Sequence, residues 1–140
     1  MVRIATENDF VTIALMMRDM YQELMPDDAV DDPRAYLYEV IRHNHSSKDT
    51  IYVDDESRGF FIVRDETEPM APTLHRYNGI RVYIRPEHRH GSLLARFYKQ
   101  LFKDFPDGDI LGVTEIESQH IKVLDKRHTL IAKVYKLNRS

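Results

Sequence analysis

A change of hydrophobic period across one short polar turn narrows most sharply what this chain can fold into. Ile80, Val82 and Ile84 alternate with Arg81 and Tyr83, the two-residue period of a strand, and Pro86, which has no N–H to give to a ladder, closes the run. Beyond it Leu93, Leu94, Phe97, Tyr98, Leu101, Phe102 and Phe105 recur at the spacing of one helix face, until Pro106 and Gly108 stop the pattern. The spacing predicts a strand ending at residue 84 that feeds a core-facing helix over residues 92–105. It also makes the phenylalanine stripe core rather than a base-stacking platform, because its spacing is that of one helix face.

The flanking segments read in the same way. Residues 2–5 alternate as a short strand, and Thr6 and Asp9 offer oxygens to the free amides of a helix start. Phe10, Ile13, Ala14, Met17, Met20, Tyr21 and Leu24 then share one helix face. Pro26 ends that helix and Pro33 opens a second, over residues 33–43, with Tyr36, Leu37, Val40 and Ile41 as its apolar side. Residues 50–53 and 60–63 are β-branched and aromatic runs joined by the polar turn 54–59, the composition of an antiparallel hairpin. A third strand lies within residues 74–84. Residues 109–117 read as a strand, 118–126 as a short helix capped by Ser118, and 129–137 as a last strand. The expected order is β-α-α-β-β-β-α-β-α-β, an α+β chain, and 140 residues suit one domain with one core.

Composition excludes several classes of function. Twenty Lys and Arg against 23 Asp and Glu leave a net charge of -3, so the whole-molecule field draws in neither nucleic acid nor an anionic membrane. Cysteine is absent, which removes disulfides, thiolate metal sites and a Cys nucleophile. No apolar run approaches a membrane span and the N-terminus lacks a signal-peptide layout, so a cytoplasmic chain is expected. His43 with His45 and His88 with His90 stand at a spacing of two, which aligns imidazoles only on a strand, and Pro86 and Gly91 make the second pair part of a turn. No metal is expected.

The run Ile80-Arg-Val-Tyr-Ile-Arg-Pro-Glu-His-Arg89, continued by His90-Gly91-Ser92-Leu93-Leu94, resembles the central strand, V-x-P-E-x-R turn and acyl-CoA pyrophosphate loop of the GCN5-related N-acetyltransferases (GNAT). The opening Arg3-Ile-Ala-Thr-Glu-Asn-Asp9 is similar to the family's R-x-A-T-x-x-D start, and Leu124-Asp-Lys126 to the residues before its last strand. The resemblance spans nearly the whole chain. It implies a mixed, mostly antiparallel central sheet flanked by helices, use of acetyl-CoA or another acyl-CoA, and an amine acceptor, either a small molecule or a lysine-bearing protein. It further implies that the backbone of Val82, Tyr83 and Ile84 pairs with the pantetheine arm like an added strand, and that two copies can pair through their C-terminal strands. Around the diphosphate it implies Arg89, His90, Gly91, Ser92 and Leu93. A helix N-terminus supports that role physically, since its amides are unpaired and carry roughly half a positive charge. The loop has one glycine where the family pattern Q/R-x-x-G-x-G/A has two.

Direct attack by an amine needs a proton acceptor near the thioester. Glu115 and Glu117 alternate along the strand expected at 109–117 and share one of its faces, with Glu117 as the base; the competing reading leaves both in solvent. Tyr135 and Tyr83 are the phenols that could return a proton to the thiolate, or they anchor packing. Asp27, Asp28, Asp31 and Asp32 form either an acidic rim for a cationic acceptor or a solvated loop. An N-acyltransferase is the leading expectation; an inert domain of the same fold, acting as a protein-binding or inhibitory module, is the alternative.

Overall fold

The computed structural model describes residues 1–71, 73–111 and Gln119. Strand β1 (Val2–Ile4) leads through the turn Glu7–Asp9 into helix α1 (Phe10–Leu24) and then helix α2 (Pro33–His45). Strands β2 (Asp49–Asp54), β3 (Gly59–Asp65) and β4 (Arg76–Ile84) come next, then helix α3 (Leu93–Asp104) and strand β5 (Asp109–Leu111). The sheet order is β1-β2-β3-β4-β5, antiparallel throughout except for the parallel pair β4–β5. This is the expected α+β architecture as far as the start of β5. The end of the strand expected at 109–117, the helix at 118–126 and the strand at 129–137 lie outside the described residues.

Alternation divides the side chains between two cores. Ile51 and Val53 of β2 and Phe60 and Ile62 of β3 meet α1 and α2, where Ile13, Met16, Met17, Met20 and Val40 are fully buried. Tyr52, Phe61 and Val63 point the other way, onto Leu93, Leu94, Phe97 and Leu101 of α3. Phe61 and Phe97 pack with their rings tilted and centroids 5.8 Å apart, and burial of each such ring contributes about 1.5–3 kcal/mol. The stripe on α3 is narrower than its sequence suggests. Phe102 is 57% exposed, because it lies about 100° round the helix from buried Leu101, while Tyr98 and Phe105 sit half-buried at the margin.

Strand β4 breaks its own period. Its partner register on β3 jumps from Ile62↔Arg81 to Val63↔Gly79, leaving Ile80 as an extra residue. The bulge inverts the parity of the strand: Tyr77 faces the α3 core before it, and Val82 and Ile84 face that core after it. The alternation read in residues 80–84 therefore belongs only to the part beyond the bulge.

Two glycines are required by geometry. A Cβ on Gly59 would lie 2.5 Å from the Tyr83 carbonyl oxygen on the neighbouring strand β4. Gly108, at φ 102, adopts a left-handed conformation against the His75 backbone as the chain enters β5. Charged groups close the remaining turns. Asp54, buried at the end of β2, accepts from Arg58 Nε at 2.6 Å and Nη2 at 3.0 Å, and from the Glu56 and Arg58 amides, which shapes the β2–β3 turn. Asp9 takes both terminal guanidinium nitrogens of Arg3 and the Thr6 amide, tying β1 to the start of α1. At the far end of the hairpin Asp49 accepts from Arg64 and lies 2.8 Å from His43 Nδ1, joining α2 to β2 and β3.

Gly59→Ala should lower unfolding stability by about 1–3 kcal/mol in urea titration, because the methyl meets backbone that cannot rotate away. The two turn aspartates make stability depend on pH. Arg3 holds the Asp9 carboxyl down to about 2; burial raises Asp54, but the bonds from Arg58 outweigh it and bring that carboxyl to about 2 as well. Carboxyls depressed in the folded state stabilise it above their ordinary value of 3.8, and that stability is lost as pH falls toward 2. The melting temperature should drop across that acid window, and Asp9→Asn should flatten the drop.

Candidate active site

The segment from Ile84 to the start of α3 is held by arginines that face inward. The β3–β4 ladder ends with the Arg85 amide on the Arg58 carbonyl at 2.8 Å, while Arg85 Nε donates to the Ser57 carbonyl and Nη1 approaches Asp19 at 3.5 Å. A 3₁₀ turn, Pro86–His88, reverses the chain, as the fixed φ of proline favours. Arg89 then folds back: its Nε donates to the Ile84 carbonyl at 2.8 Å, and its two terminal nitrogens fork onto Glu23 at 2.7 and 2.9 Å. The guanidinium lies 5.4 Å from the centroid of the Tyr83 ring, and the side chain is only 7% exposed. Arg89 was expected at a diphosphate; here it braces the turn against α1.

Among the described residues no side chain caps the start of α3 in front of this brace. Its first backbone bond runs from the Arg96 amide to the Ser92 carbonyl, so the amides ahead of it belong to the group that a helix start leaves without an intrahelical acceptor. His90, Gly91 and Ser92 are exposed, and a Cβ on Gly91 would meet nothing closer than the His88 carbonyl oxygen at 3.6 Å. Leu93 and Leu94 turn into the α3 core, 3% and 9% exposed, and do not cover the mouth. The residues present therefore fit a diphosphate through backbone amides, without a direct side-chain fork from Arg89.

Beside the mouth lies the outer edge of β4. The described β5 pairs only with Arg76, Tyr77 and Asn78, all before the bulge. Past the bulge, the Arg85 amide bonds β3, so the alternating groups Val82 C=O and Ile84 N–H face away from β3. Both are bonded by one side chain. Gln119, fully buried, donates from Nε2 to the Val82 carbonyl at 2.8 Å and accepts the Ile84 amide on Oε1 at 2.8 Å.

Tyr83, on the opposite face, packs among the side chains of α1 with its hydroxyl 3.4 Å from Glu23 Oε1. Burial first, then the Glu23 carboxylate, pushes this phenol up to about 12, so it stays protonated near neutrality. Glu115, Glu117 and Tyr135 lie outside the described residues. The four aspartates Asp27, Asp28, Asp31 and Asp32 are exposed, with Asp32 capping α2 and gripping Arg34. His43 is buried against Asp49 while His45 is exposed, and among the described residues no three His, Asp or Glu side chains gather around a metal-sized site.

Two contributors went unread in the sequence. Asp19 and Glu23, four residues apart on α1, meet Arg85 and Arg89, also four apart, and that matched spacing is a signal that could have been found. Gln119 carries no such signal, since nothing local distinguishes it from any polar residue in a turn. A double-mutant cycle on Glu23→Gln and Arg89→Gln should return a coupling of about 1–2 kcal/mol in chemical denaturation, above the range of an exposed ion pair.

No family model and no curated protein matches the sequence. Solved structures do match, over nearly their whole length. Ribosomal-protein-alanine N-acetyltransferase from Brucella melitensis biovar Abortus 2308 superposes with a TM-score of 0.68 at 14% identity, covering 99% of this chain and 97% of that one. A protein described as a probable acetyltransferase gives 0.69 at 14% identity, covering 100% and 99%. Aminoglycoside 6'-N-acetyltransferase from Acinetobacter baumannii gives 0.63 at 12% identity, covering 97% and 98%. By these superpositions the fold of this chain is the GNAT fold.

Proposed function

We propose that this chain transfers an acetyl or similar acyl group from acyl-CoA to an amine, by direct attack and without a covalent enzyme intermediate. The observation that carries the reading is the outward-facing pair Val82 C=O and Ile84 N–H on β4, past the bulge, beside an exposed start of α3. A strand edge with one carbonyl and one amide suits the amides of a pantetheine arm, and the helix start suits the diphosphate attached to that arm. In this reading the backbone of Val82 and Ile84 orients the arm, the amides of Ser92 and Leu93 hold the diphosphate, and exposed His90 and Gly91, whose own amide donates to the His88 carbonyl, leave it room. Arg89 keeps that turn in shape through the Ile84 carbonyl and Glu23. Acyl-CoA supplies an activated carbonyl; the amine nitrogen bonds to its carbon, the carbon–sulfur bond breaks, and the sulfur leaves as thiolate.

The amine proton needs a taker and the thiolate a donor. We assign the first to Glu117, with Glu115 two residues away, and the second to Tyr135. The acceptor is a small-molecule amine or a lysine-bearing protein, drawn by the exposed aspartates between α1 and α2. No described helix is long and apolar enough to cross a membrane, and the reaction fits the cytoplasm, where acyl-CoA is available. A second reading, a non-catalytic binding module of the same fold, is favoured by one observation: Gln119 already bonds the β4 groups that the arm would use.

Thermal melting with acetyl-CoA tests the proposal. A ligand held only by the native state at a hundred times its Kd stabilises that state by about 2.7 kcal/mol, so a clear rise in Tm is expected, and no rise at millimolar ligand would support the binding module instead. Gly91→Asp should leave the unliganded Tm unchanged or raised, because the side chain enters open space at a helix start, yet weaken acetyl-CoA binding at least about tenfold by placing a carboxylate where phosphate sits. Glu117→Gln should lower kcat about a hundredfold while leaving the acetyl-CoA melting shift intact, as measured by mass spectrometry of acylated amines.

A further inference from the structure

The β4 edge beyond the bulge is built to be bonded by an amide, and the chain supplies one from within. Val82 C=O and Ile84 N–H flank Tyr83 on the edge away from β3, the pair that one residue of a parallel neighbouring strand would engage through its own N–H and C=O. The Gln119 carboxamide meets both at 2.8 Å with the side chain fully buried. A buried carbonyl and amide left unbonded would each carry a desolvation penalty, so the contact has a clear physical cause. It also uses the same donor and acceptor that an incoming pantetheine amide needs.

We infer that Gln119 is an internal competitor for the acyl-CoA arm, an amide latch that must leave Val82 and Ile84 before the arm can pair with them and that thereby sets cofactor affinity. The inference rests on the acyl-CoA reading above and adds to it a specific residue and a sign. A residue that simply touched the cofactor would strengthen binding; a latch weakens it. Because these two bonds lie on the strand edge, they bear on the pantetheine portion of the ligand and not on the nucleotide portion at the mouth of α3.

Calorimetric titration of the wild type and of Gln119→Ala with acetyl-CoA, and separately with 3′-phospho-ADP, separates these outcomes. The variant should bind acetyl-CoA about tenfold tighter, the scale of one or two exchanged hydrogen bonds, and bind 3′-phospho-ADP with unchanged affinity. If the wild type binds acetyl-CoA and the variant binds it equally or more weakly, the latch is overturned while the transferase reading stands. Should neither protein bind acetyl-CoA, both fall together. A second measurement needs only the wild type: the Gln119 side-chain amide resonances in an NMR spectrum should move on saturation with acetyl-CoA and stay in place with 3′-phospho-ADP. Resonances unmoved by saturating acetyl-CoA would overturn the latch even if the alanine variant failed to fold.

Discussion

One extra residue in β4 determines what this sheet can do. Without Ile80 as a bulge, β4 would keep a single parity from Arg76 to Ile84, and Tyr77 could not share the α3 core with Val82 and Ile84. A bulge sharpens the local twist, and here the described parallel pairing with β5 stops at Asn78, ahead of it. The outer backbone groups of β4 past the bulge, in the middle of the sheet, have no strand for a neighbour among the described residues. Backbone polar groups that are buried must be bonded by something. In this molecule the something is a glutamine side chain.

The arginines around the site show how one residue type divides between structure and binding. A guanidinium beside a helix start reads naturally as a phosphate fork, yet Arg89 has its Nε on the Ile84 carbonyl, its terminal nitrogens on Glu23 and its plane near the Tyr83 ring. Those contacts fix the turn that aims the α3 mouth, so its influence on a bound diphosphate would be exerted through position. The backbone amides remain the natural anion contacts there, and they depend on the helix start, not on any side chain. That is consistent with a loop that has a single glycine and is followed by leucines turned into the core.

The two functional readings differ in the strength of a single contact. A pair of hydrogen bonds of ordinary net worth, about 1 kcal/mol each, can be exchanged for an equivalent pair from a ligand, so the buried Gln119 contact is compatible with an enzyme that opens its strand edge on binding. The same contact, if never exchanged, describes a domain that has closed the edge for good. Fold likeness to acetyltransferases at 14% identity does not choose between them, because folds host sites and sites carry chemistry.

Local pattern was enough for the elements. The 3.6-residue spacing in α1 and α3, the prolines at 26, 33 and 86, and the polar turn at 54–59 each act within a few residues of chain, and the structure agrees with them to within one or two positions; α2 runs on to His45 because its last turn gains the buried His43–Asp49 contact. Resemblance in residues 80–94 was likewise legible, as one contiguous run. The bulge at Ile80, the inward turn of Arg89 and the contact from Gln119 were decided only by tertiary structure. Each depends on a partner far along the chain, 66 residues away for Arg89 and 37 for Gln119 with Val82, and one-dimensional periodicity has no term for such partners.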